Sequence, residues 1–124
     1  MSRTVLICDD ALFMRKLINQ VMTSGGFEVV GEAEDGSEAV DKYQTLKPDL
    51  VTMDLMMPQM NGIDAVREIM KLDSTACIIM CSSVGQEALV TEAMEAGARG
   101  YLVKPFQPPQ LLAVAERALN AEGL

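Results

Sequence analysis

Two apolar runs in this sequence end in acids. "VLICDD" closes on Asp9 and Asp10, and "LVTMD" closes on Asp54 before the loop "LMMPQMNG". Two further runs close on other polar groups, "CIIMCS" on Ser82 and "GYLVK" on Lys104. If these runs lie side by side as parallel strands, three carboxylates, a hydroxyl and an ammonium meet at one sheet edge. Carboxylates about 5 Å apart repel by about 3 kcal/mol per pair at an effective dielectric of about 20, so the cluster calls for a cation. The chain has no histidine, and oxygen donors alone select a hard ion, magnesium by abundance. A carboxylate, a magnesium ion, a lysine and a hydroxyl suit phosphoryl transfer. Asp54 would take the group as nucleophile, the metal and Lys104 would neutralise its oxygens, and Ser82 would donate a hydrogen bond.

Taken singly, each residue has a plainer reading. Asp9 or Asp10 would cap the first helix, Asp54 would be a turn residue, and Lys104 would be a solvated charge. Ser83 reads as a helix cap and nothing more. Convergence of four strand ends on one edge outweighs these readings for Asp10, Asp54, Ser82 and Lys104.

Five short runs can supply the strands: residues 4–8, 28–33, 50–54, 77–82 and 100–104. Four of them lack alternation and are rich in Val, Ile, Leu and Met, the pattern of strands covered on both faces. The second run is more interrupted, which suits a sheet edge. Helical stripes fill the gaps. Phe13, Leu17 and Val21, with Met14, Ile18 and Met22 alongside, mark the first, ended by Gly25-Gly26. Asp35 and Glu38 cap the second, which carries Ala39, Tyr43 and Leu46. Ile63, Val66 and Met70 mark the third. Ser83 and Gln86 read as a capping box for the fourth, closed by Gly97. Leu111, Ala115 and Leu119 mark the fifth, preceded by Pro108-Pro109. Strand and helix alternate five times, which predicts an α/β fold with an open parallel sheet and helices on both faces. Ligands of such sheets bind beyond the carboxyl ends of the strands.

Composition narrows the function further. A chain of 124 residues with 49% apolar content fits one packed domain. The net charge of −8 opposes nucleic acid, and no basic stripe offsets it. No apolar run is long enough to span a membrane or serve as a secretory signal, so a cytoplasmic location is expected. Cys8, Cys77 and Cys81 are odd in number and lie at the ends of apolar runs, as small buried hydrophobes do.

The motifs "ICDD", "TMDLMMPQMNG", "MCSS" and "YLVKPF", in this order and spacing, resemble the receiver domain of two-component response regulators. The resemblance runs from about Val5 to the last helix, and it is closest to the stand-alone chemotaxis members of the family. It implies a flavodoxin-like doubly wound sheet of strand order 2-1-3-4-5 and a single receiver domain over residues 1–124. It implies that Asp54 is the phosphoacceptor and that Asp10 is a direct magnesium ligand. Asp9 would act partly through water, and Asp54 and the Met56 backbone carbonyl would complete the protein ligands. It gives Ser82 and Tyr101 as the switch pair, Lys104 as the phosphate-binding lysine, and a cis bond before Pro105. A histidine kinase would be the donor, and the face around Leu89, Val90, Met94, Tyr101 and Gln107 would carry the output, on a flagellar motor switch protein. In this family the residues two beyond the phosphoacceptor and two beyond the switch hydroxyl flank the hydrolytic water. Here they are Met56 and Val84, which cannot orient water, so slow self-dephosphorylation and a phosphatase partner are expected.

Three rivals stand beside this reading. A magnesium-dependent phosphatase of the haloacid-dehalogenase type also uses an aspartate nucleophile. It needs a second acid where Met56 stands, and a nucleophile on the first strand. An adaptor that never takes phosphate would not need the Asp10, Asp54, Ser82 and Lys104 set. A phosphorelay intermediate would use the same site and differ only in its acceptor.

Overall fold

The computed structural model describes residues 3–120. Five strands and five helices alternate: β1 (Arg3–Cys8), α1 (Leu12–Ser24), β2 (Phe27–Ala33), α2 (Gly36–Leu46), β3 (Leu50–Met53), α3 (Gly62–Leu72), β4 (Ile78–Ser82), α4 (Glu87–Ala96), β5 (Gly100–Val103) and α5 (Pro108–Asn120). All pair in parallel in the order β2-β1-β3-β4-β5. The expected flavodoxin-like topology is therefore observed, with the interrupted second strand at an edge. The expected domain span of 1–124 extends past the described residues at both ends.

Side chains alternate across the sheet and divide the core into two layers. Leu6, Cys8, Val51, Met53, Ile78 and Met80 pack under α2, α3 and α4. Val5, Ile7, Leu50, Ile79 and Cys81 pack under α1 and α5. The central strands are apolar on both sides because helices cover both.

Local signals explain three of the helix starts. The Asp35 side chain accepts from the Glu38 N–H at 2.8 Å and starts α2. Asn61 does the same for α3 through Asp64 N–H at 2.9 Å. Pro108 opens α5, where its missing N–H costs nothing.

Leu46, expected on the apolar stripe of α2, is exposed at the helix end, and two further expectations fail. Phe13 is 76% exposed, although it began the first stripe. The buried face of α1 is Arg15, Ile18, Val21 and Met22, and a helix carries Phe13 about 140° around from Ile18. Ser83 does not cap α4. The helix begins four residues later, and its flanking residue, Gln86, makes no side-chain cap. Both backbone groups of Val84 are already taken: its N–H donates to Ser82 Oγ at 3.2 Å, and its carbonyl accepts from the Tyr101 hydroxyl. They hold the chain out of helical geometry beyond β4.

Candidate functional site

Register brings the polar strand ends together. Cys8 pairs with Met53, and Met53 pairs with Met80. One step further, the Asp54 N–H donates to the Cys8 carbonyl at 2.9 Å, so Asp54 lies beside Asp9. Ser82 pairs with Val103, and the Lys104 N–H donates to the Ser82 carbonyl at 2.9 Å. Asp9, Asp10 and Asp54 each present an oxygen, and these oxygens lie within 4.8 Å of one another. Lys104 Nζ donates to Asp9 Oδ2 at 2.6 Å and stands 3.7 Å from Asp54 Oδ2. Asp9, Asp54 and Ser82 are buried, while Asp10 faces solvent.

Neither Asp9 nor Asp10 caps α1. The N-cap position is Ala11, without a side-chain bond, and Asp9 Oδ1 instead accepts from the Ala11 N–H at 2.9 Å. Asp54 titrates above the ordinary carboxylate range. Burial is the main cause; Lys104 pulls the value down, and the Asp9 and Asp10 charges push it back up. One cation is too little for three clustered acids, two of them buried. An all-oxygen donor set of this kind fits a hard divalent ion.

The loop after Asp54 is fixed by close packing. A Cβ on Gly62 would come within 2.1 Å of the Asp54 carbonyl oxygen, and the Gly62 N–H donates to Leu55 O at 2.8 Å. The start of α3 therefore lies directly against the backbone of Asp54. The Gly36 N–H donates to Met60 O at 3.0 Å and ties the same loop to α2. Met56 lies in this loop with its side chain 60% exposed, and the Lys104-Pro105 bond is cis. Tyr101 is half-buried on β5, held by its hydroxyl to the Val84 carbonyl. Burial raises the Cys81 thiol to about 12 and raises the Cys8 thiol as well, so these are inert core groups.

Arg15 did not stand out in the sequence. Its side chain is buried against the first acid loop: Nη1 donates to the Asp9 carbonyl at 2.8 Å and Nε to Glu32 Oε1 at 2.9 Å. The signal was its spacing, three residues before Ile18 and seven before Met22 on the buried face. A groove of about 570 Å³ at the opposite sheet edge, lined by Arg3, Tyr43, Lys47 and Asp73, holds none of these acids.

Residues 5–116 match the model of the response regulator receiver domain. The chain belongs to the response regulator receiver family. The receiver is 57% identical to the chemotaxis protein CheY of Thermotoga maritima over 112 residues, covering 90% of this chain and 93% of that one. It is 50% identical to Bacillus subtilis CheY over 120 residues, covering 97% and 100%. Among solved structures it resembles the CheX–CheY–BeF3–magnesium complex of Borrelia burgdorferi, with 40% identity and a TM-score of 0.88 over 90% of this chain and 85% of that one. This is a CheY-like receiver domain, a class of phosphoacceptors with an acidic magnesium pocket. Among the described residues, no helix is long and apolar enough to cross a membrane.

Proposed function

We propose that the chain is a phosphorylation-controlled signalling switch, one receiver domain over residues 1–124, acting in the cytoplasm in chemotaxis. The observation that carries this is the convergence of Asp9, Asp10 and Asp54 within 4.8 Å, beside an ammonium from the end of β5.

In this reading an Asp54 carboxylate oxygen attacks the phosphorus of a kinase phosphohistidine. The phosphorus–nitrogen bond breaks, the imidazole leaves, and an aspartyl phosphate remains. The donor is a separate protein, since this chain has no histidine. Asp9, Asp10, Asp54 and the Met56 carbonyl would hold magnesium, which supplies charge neutralisation for the transferring oxygens. Lys104 is already within 4 Å of the acceptor and moves from Asp9 toward the new oxygens. Ser82 turns its hydroxyl to the phosphoryl group and gives up the Val84 N–H. The Val84 carbonyl then shifts, and Tyr101, bonded to it, moves inward. The switch is a population shift between two arrangements of this loop.

The output face is α4, β5 and α5, where Met94 and Val103 are exposed and Leu89 and Val90 are half-buried. A flagellar motor switch protein is the proposed partner there, supported by the chemotaxis names of the relatives. A phosphatase is the proposed means of resetting, because the Met56 side chain offers no group to position water. The test is treatment with a small phosphodonor, with and without magnesium, followed by mass spectrometry. Labelling at Asp54 that needs magnesium, and its loss in Asp54→Asn, are expected. Labelling elsewhere would overturn the proposal.

A further inference from the structure

Two successive residues on an extended chain point their side chains to opposite faces. Asp9 and Asp10 nevertheless both offer an oxygen to one nest with Asp54. The chain must therefore turn between them, and residue 10 is a bend. The Asp9–Asp10 peptide at this turn has left the β ladder, so its carbonyl needs a partner from elsewhere. Arg15 supplies it. One nitrogen of its fork donates to the Asp9 carbonyl at 2.8 Å. Another donates to Glu32 at 2.9 Å, and the third lies 3.9 Å from Glu34. The guanidinium is buried between the first acid loop and the carboxyl end of β2. The Asp9 N–H is held from the same strand, by Ala33 O at 3.0 Å.

We infer that Arg15 is a positioning residue for the acid pocket. It grips the Asp9–Asp10 peptide and orients both carboxylates toward the cation site without touching the cation. The inference rests on the proposed magnesium site and adds the element that shapes it. A surface arginine on a helix would contribute little. A buried fork with three oxygen partners, one of them the backbone between two ligands, restrains the ligands themselves. Outer-shell groups that orient metal ligands change affinity by about 10- to 100-fold when removed.

The test is calorimetric titration of the full chain with magnesium chloride, comparing Arg15→Ala, Arg15→Gln and Arg15→Lys with the unaltered protein. Arg15→Ala and Arg15→Gln should bind magnesium about 10- to 100-fold more weakly. Arg15→Lys should fall between, because one ammonium cannot serve all the partners of a planar fork. A second readout needs no metal. In EDTA the Ala11 amide, bonded to Asp9 Oδ1, should exchange faster in the variants, while the Ile69 amide within α3 keeps its protection. If Arg15→Ala does not fold, the Gln and Lys variants decide. Folded variants with unaltered magnesium affinity overturn the inference. So does faster exchange at Ala11 and Ile69 alike with unaltered affinity, the mark of a general loss of stability. An unaltered protein that takes no magnesium overturns the metal reading, and Ala11 exchange then still reports whether Arg15 holds the loop.

Discussion

Replacing the Asp54 carboxylate should make the metal-free protein more stable. Asp54 is 6% exposed, and its oxygen lies within 4.8 Å of those of Asp9 and Asp10. At an effective dielectric of about 20, each repulsion costs about 3.5 kcal/mol, while Lys104 at 3.7 Å returns about 4.5 kcal/mol. Burial adds to the deficit. Asn keeps the shape and removes the charge, so Asp54→Asn should gain about 1–3 kcal/mol in EDTA at pH 7. The pH dependence has a definite sign. Because the folded pKa of Asp54 is raised, chiefly by burial, its neutral form is favoured in the fold. That contribution is complete below the unfolded carboxylate pKa and is lost as pH rises through the folded value. The advantage of Asn should therefore be small in acid and open as pH rises. Magnesium should close most of this gap. At 100 times its dissociation constant it stabilises the unaltered protein by about 2.7 kcal/mol and the variant by far less. Urea unfolding at several pH values, with EDTA or magnesium, reads all three effects. An Asn variant less stable than the parent in EDTA at pH 7, or an advantage that ignores pH, would refute the account of strained acids.

Other substitutions test other parts of the site. Gly62→Ala drives a methyl into the Asp54 carbonyl oxygen; it should cost more than about 2 kcal/mol and abolish labelling of Asp54, and unaltered urea midpoints would contradict the close approach. Thr52 carries a buried hydroxyl without a hydrogen-bond partner; Thr52→Val should stabilise the fold by about 1–2 kcal/mol, and thermal melts showing a loss would mean that the hydroxyl has found a partner. Met56→Asn places an amide at the mouth of the site and should shorten the aspartyl phosphate lifetime, followed by loss of label after donor removal; a marked slowing would contradict the water argument. Asp35→Ala removes the α2 cap and should cost about 1 kcal/mol in urea unfolding, with labelling retained.

The sheet was legible because central strands covered on both faces leave unbroken apolar runs, and the polar residue ending each run marks the edge. Asp54, Ser82 and Lys104 could be placed together from that alone, and the strand order came from the family likeness. What misled was local. Phe13 fits a four-residue repeat as well as Met14 does, and only packing against β1 and α5 fixes which face turns inward. Ser83 satisfies a capping pattern, but Ser82 and Tyr101 compete for the same backbone. Arg15 was hidden by its charge, since arginine on a helix normally faces water. Its partners come from the end of β2 and the loops after β1 and β2, and no local pattern announces them.

The ammonium of Lys104 resting on Asp9 has a consequence for how this protein comes into being. A newly made chain carries its own counterion for Asp9, the most buried acid among the described residues, so folding need not leave that charge unpaired while no divalent ion is bound. On the proposed reading, ion supply would then govern when the finished molecule can be written on.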